Sequence, residues 1–138
     1  MAQFTELWRH TCIGDAAVKA IAKTNVYPVH VSQVKAPQWP NGPEFPALSI
    51  HERDETPYDS APAIFLGAYQ MDSWAYTDDD AKALQLRLQA LFHLQNLRGR
   101  GVQSTISRMV RGPIAAPYHE ETRTFHRASF WEINWYAT

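Results

Sequence analysis

A single cysteine, Cys12, occurs among the 138 residues of this chain. A disulfide within the chain is therefore impossible, and so is a cysteine-rich zinc site. Synthesis in a reducing cytosol is the simplest reading. Long hydrophobic runs are also missing, since nothing approaches the roughly eighteen continuous apolar residues of a membrane-spanning helix. The opening MAQFTELWRHTC carries charges where a signal peptide needs an apolar stretch, so the expectation is a soluble protein not exported by that route. There is no excess of one charge: 13 basic and 14 acidic residues leave a formal net charge of −1. A general nucleic-acid binder would carry a basic excess, although a local patch remains open.

Catalytic signatures are absent as well. The six histidines, at 10, 30, 51, 93, 119 and 126, include no i, i+4 pair and no HExxH, so surface or interface roles are expected in place of metal binding. His30 and His51 meet only if their segments lie side by side. No glycine-rich phosphate loop occurs, and Ser73 and Ser129 lie within strand-like segments that lack a strand–turn–helix elbow. Glu120 and Glu121 follow His119 and are read as solvating a loop or pairing with Arg123. Asp78, Asp79 and Asp80 are read as helix-start residues and not as half of a metal cluster. No catalytic residue, cofactor or metal is predicted, and the chain is not read as an enzyme.

Aromatic residues are what the chain does have, at 12% with five tryptophans. Such residues fill a core or serve an interface. The segment Thr124–Thr138, TFHRASFWEINWYAT, runs without Gly or Pro. Its aromatic and β-branched density suits a long strand held inside a sheet. AIFLGAYQMDSWAY, residues 63–76, has the same character. Phe4, Leu7, Trp8, Thr11 and Cys12 fall on one face at helical spacing, and Gly14 ends that helix as a residue tolerant of positive φ. Asp15 caps a second helix over Ala16–Lys23 that buries Ala17, Val18 and Ile21. Val26 and Tyr27 are extended before Pro28. Residues 32–46 form a Pro-rich loop, 47–53 a strand, and 54–62 a polar loop.

The clearest helix follows Thr77, with Asp80 three residues on as a capping-box variant. Ala81, Leu84, Leu88, Leu91 and Phe92 make one apolar stripe. Ala83, Leu86, Ala90, Leu94 and Leu97 make a second, and Lys82, Gln85, Gln89, His93 and Asn96 a polar strip. A helix resting only on its own sheet needs one stripe. The second calls for another layer: either the first helix or another subunit. RGRG at 98–101 turns the chain into a strand over 102–111, and a loop over 112–123 precedes the last strand. Arg98, Arg100, Arg108, Arg111, Arg123 and Arg127 share a surface only if those two strands pair. The order ααβ–ββ–α–ββ, without repeat or linker, predicts one domain over residues 1–138. Its class is α+β, a mainly antiparallel sheet with helices packed on one face.

Several segments, taken in order, resemble the tail-completion or tail terminator (tail-to-head joining) proteins of long-tailed bacteriophages. They are Val26-Tyr27-Pro28 after a short helical opening, Pro46-Ala47-Leu48-Ser49-Ile50 after a Pro-rich loop, and Gln70-Met71-Asp72-Ser73-Trp74-Ala75 leading into DDDAKALQLRLQAL. Tyr118-His119-Glu120-Glu121-Thr122, Phe125, Arg127-Ala128-Ser129-Phe130 and Trp135-Tyr136 complete the pattern. The loops 32–46 and 112–118 depart from it. The resemblance implies a virion protein made in the bacterial host cytoplasm. It would form a homo-oligomeric, six-fold ring at the neck. That ring would end tail-tube growth, meet the tail tube protein and the head-completion or connector protein, and let viral DNA pass through its lumen without sequence-specific binding or any membrane. Asp54, Glu55, Tyr58 and Asp59 are expected at a lumen or partner contact, and Trp39, Asn41, Tyr118, Glu120 and Glu121 in interface loops. The alternatives are a tail-tube or head-closure (stopper) subunit and, from another class, a small cytosolic enzyme or ligand-binding domain.

Overall fold

The structure is a computed structural model that describes residues 3–58 and 61–138. Two helices come first, α1 (Phe4–Ile13) and α2 (Ala16–Ala22). The short strand β1 (Val26–Tyr27) leads through a connector to β2 (Ala47–Tyr58) and β3 (Ala61–Ala75). Then come α3 (Asp78–Phe92), β4 (Arg98–Gly99), β5 (Val102–Ala115) and β6 (Phe125–Ala137). The six strands make one sheet in the order β1-β2-β3-β6-β5-β4. Among the described residues only the β1–β2 pairing is parallel. The expected α+β class, with helices on one face of a mainly antiparallel sheet, is what the chain adopts.

The last strand lies inside the sheet, flanked by β3 and β5. Its alternate residues Ser129, Trp131, Ile133 and Trp135 face the helices and are buried. They meet Tyr69 and Met71 of β3, Leu48 and Ile50 of β2, and Phe4, Leu7, Trp8, Leu84, Leu88 and Phe92 of the helices. Truncating a buried aromatic of this kind costs roughly 3–5 kcal/mol, so Trp8, Trp131 and Trp135 hold much of the fold. Gly67 belongs to this packing, because a Cβ there would lie 2.3 Å from the ring of Tyr69.

Caps and polar ties fix the helices. Asp15 accepts from the Val18 amide at 3.0 Å and takes both hydrogen bonds of the Arg87 guanidinium, joining α2 to α3. Thr77 accepts from the Asp80 amide as its spacing predicts. Arg127 of β6 binds Asp78 through two bonds and holds the start of α3 on the sheet.

Several local readings need correction. Residues 54–58 continue β2 and 61–62 begin β3, so these parts of the expected loop are strand, while residues 59 and 60 lie outside the described residues. Pro57 is tolerated there because β1 covers β2 only near Leu48 and Ser49, leaving its far half an edge. β5 likewise continues to Ala115, bending at bulges between Ser104 and Ile106 and beyond Met109. Gly14 has φ −76° and ends α1 without the left-handed conformation. Ala17 is exposed. Gln85 leaves the polar strip and is buried, its amide donating to the carbonyls of Met71 and Arg127. Arg100 and Gly101 both take positive φ in the two-residue turn between β4 and β5, as primed hairpin turns require.

Candidate contact surfaces

The strand directions send the connecting segments to two opposite ends. Residues 28–46 and 116–124 both lie where β2 and β6 begin and β3 ends. These segments fold over the face of the sheet turned away from the helices. Under them sits Trp74, 4% exposed, donating to Ser49 Oγ. His126 stacks flat on Trp74 with ring centroids 3.7 Å apart and planes 5° from parallel. His30, Phe45 and His119 meet Trp74 edge-on. Beside it, fully buried Asp72 accepts from Gln70 at 2.9 Å. Its contact with His126 Nε2 at 2.7 Å requires that nitrogen to carry the proton. The second Asp72 oxygen stands 3.6 Å from Nδ1 of His51, whose ring meets His30 edge-on.

Four of the six histidines therefore gather around one tryptophan and one carboxylate. Burial pulls the His51 imidazole below its ordinary value, Asp72 opposes that, and His30 and Arg53 add to it. Among the described residues no three His, Cys, Asp or Glu side chains are placed to hold a metal ion. The sequence held one hint of this cluster. Gln70, Asp72 and Trp74 alternate along one strand face, and an acid next to a tryptophan there needs cover. The cover comes from segments distant in sequence, so their identity was not readable.

The expected interface residues share this end. Trp39 packs edge-on against Tyr27. Asn41 is exposed in the turn closed by the bond from the Gly42 amide to the Trp39 carbonyl. Tyr118 is exposed against Phe125, and Glu120 and Glu121 are exposed in the turn beyond. Glu121 joins His30, Phe45, Trp74 and His119 around a shallow cavity of about 250 Å³.

The lumen candidates sit at the other end. Asp54 faces outward beside a groove of about 450 Å³ on the open sheet face, floored by Leu66 and Ala68. Glu55 turns to the helix side and accepts from Tyr69 Oη at 2.8 Å and Trp135 Nε1 at 3.2 Å. Burial and Glu55 together push the Tyr69 phenol far up. Tyr58 ends β2 next to the hairpin tip, and Asp59 lies outside the described residues. The arginines disperse: Arg108 pairs with Glu132 and Arg127 with Asp78, and Arg100 contacts His10. Arg111 and Arg53 flank the Phe130 ring.

Most of the second stripe stays bare, although Leu94 and Leu97 lie beyond the end of α3 and Leu97 is half-buried against the core. Leu86 is 55% exposed and Leu94 72%, and Ala83 and Ala90 are exposed. The first helix does not cover them. It packs beside α3 through Trp8 and Phe92, on the sheet side of the layer.

Ser73 and Ser129 donate to the carbonyls of Ala81 and Met71. Cys12 is buried, and burial pushes its thiol well up. No described helix is long and apolar enough to cross a membrane.

One solved structure has this architecture over nearly its whole length. It is a chain of the "Virion of native gene transfer agent (GTA) particle", with a TM-score of 0.62 at 17% identity, covering 95% of this chain and 92% of that one. The two chains share a fold. No family model matches the sequence, and no curated protein does.

Proposed function

We propose that this chain is a virion structural protein of a phage-like particle, acting at the neck as a tail terminator. In this reading about six copies form a ring on the head-proximal end of the tail tube, stop its growth and meet the head connector, while DNA passes through the lumen. The observation that carries the reading is the fold match to a chain of a gene transfer agent virion across nearly the full length of both. The order of short motifs along this sequence supports it independently, since the resemblance was to phage tail-completion proteins.

The arrangement of loops suits a ring with two rims. Segments 28–46 and 116–124 gather at one end of the sheet and the β2–β3 hairpin reaches the other. One rim would meet the tube and the other the connector. Asp54 would be the outward acid of the hairpin, placed at a contact with a partner. Glu55 is committed to Tyr69 and Trp135.

The test is electron microscopy of particles produced without this gene. Overlong or unjoined tails beside DNA-filled heads are expected. Normal, infectious particles would sink the neck role. Purified protein that polymerises alone into long tubes would favour a tube subunit instead.

A further inference from the structure

The outward face of α3 and the hairpin half of the far sheet face are both uncovered, and their residues match in order. On the open sheet face the strand register sets residues in three rows. The first holds Phe130, with the guanidiniums of Arg53 and Arg111 at 5.0 and 6.0 Å from its ring centroid. Neither arginine has an ion pair among the described residues. The second row runs from Asp54 through Ala68 to Glu132, which is already paired with Arg108. The third contains Leu66, 37% exposed, and Ile106, 50% exposed, joined through Asn134. Residues of one face repeat about every 6.6 Å along a strand, so the rows read basic, acidic and apolar over about 13 Å.

The outward face of α3 carries the complementary series. Asp79, Lys82, Ala83, Leu86 and Ala90 are all exposed, opposite buried Ala81, Leu84, Leu88 and Phe92. From Asp79 to Lys82 is a rise of about 4.5 Å, and from Lys82 to Leu86 about 6 Å. This face reads acidic, basic and apolar in the complementary order, over about 10.5 Å against about 13 Å on the sheet.

We infer that the open sheet face of one copy receives the outward face of α3 from the next copy. Asp79 then meets Arg53 and Arg111, Lys82 meets Asp54, and Leu86 meets Leu66 and Ile106. The inference rests on the ring reading above and names the two surfaces that build the ring. Charge order selects the second copy as occupant, because an apolar strip alone would accept many partners. Because the two surfaces differ, the contact is head-to-tail, and such contacts close into rings or continue as filaments. The Arg–Phe–Arg group supplies residue types that are enriched at interfaces.

The experiment is thiol cross-linking of the full chain at high protein concentration with a short bis-maleimide. Leu66→Cys and Leu86→Cys variants are prepared separately, mixed, and combined in one chain, with buried Cys12 left in place and the unsubstituted chain as control. Dimers are expected from the mixture and not from either single variant, with a ladder from the double variant. Arg53→Glu with Arg111→Glu should cut the ladder about tenfold or more at low salt, as like charges then face each other. Adding Asp79→Arg should restore it. Equal dimer yield from a single variant and the mixture would overturn the pairing, and so would no ladder from a chain with native circular dichroism. Overlong tails without a ladder would sink this contact alone. A ladder with normal particles would keep the contact and sink the neck role.

Discussion

Asp72 is a fully buried carboxylate whose neighbours hold it in place by geometry that is only partly complete. Gln70 and His126 occupy one oxygen, while the other faces Nδ1 of His51 across 3.6 Å. His51 is pulled below its ordinary value of 6.5, first by burial and then by His30 and Arg53, against the pull of Asp72. A histidine with a depressed folded value binds protons more readily when the chain is unfolded. Its contribution to stability is therefore complete above about pH 6.5 and is lost as pH falls below that toward the lower folded value. His51→Gln keeps a donor near Asp72 and removes the titration. The melting temperature of the native chain should fall more between pH 7.5 and 5.5 than that of the variant, by calorimetry at both values. Parallel losses would show that His51 does not carry this sensitivity.

Among the elements, α2 is the one most dependent on a single side chain. Seven residues are too few to hold a helix in water without tertiary support. Asp15 supplies both a cap at the Val18 amide and the ion pair to Arg87. The hydrogen bonds from Arg87 hold its carboxyl below the usual range, so its contribution is present above about pH 4 and lost on further acidification. Asp15→Ala should cost about 1–2 kcal/mol by urea unfolding, with Asp15→Asn in between because it keeps a cap. No difference between the two variants would mean that the cap adds nothing, and no difference between Asp15→Asn and the native chain would mean that the pairing with Arg87 adds nothing. The cap was legible from Asp15 and the apolar residues after it. The partner was not, since Arg87 lies 72 residues away and nothing local connects them. α3 shows the same division. Its two apolar stripes follow from helical spacing alone, but only the packing tells that Leu88 and Phe92 are covered while Leu86 is bare.

At the scale of the whole molecule, the last strand closes the architecture. β6 joins the β2–β3 hairpin to β5, with no other strand pairing between those halves among the described residues. A chain stopped after Phe130 loses Trp131, Ile133 and Trp135 from the core. Each is worth several kcal/mol against a total stability of about 5–15 kcal/mol. Such a chain should show no cooperative urea transition by tryptophan fluorescence or circular dichroism. A retained transition would mean the halves fold without their shared strand.

Periodicity and caps by themselves determined the helices, the aromatic strands and the α+β class, because those signals act over a few residues. The acid of the hairpin and the loops over 32–46 and 116–123 were visible as polar or Pro-rich segments, although β5 takes residues 112–115 of the expected second loop. Tertiary structure decided that the polar hairpin continues as strand, and that Glu55 turns inward while Asp54 does not. It also gathered four histidines around Trp74 and Asp72, and set Arg53 and Arg111 on either side of Phe130. These outcomes depend on register, bulges and which strands are neighbours. A shift of one residue along a strand moves every side chain to the other face, and nothing within a single segment fixes that choice.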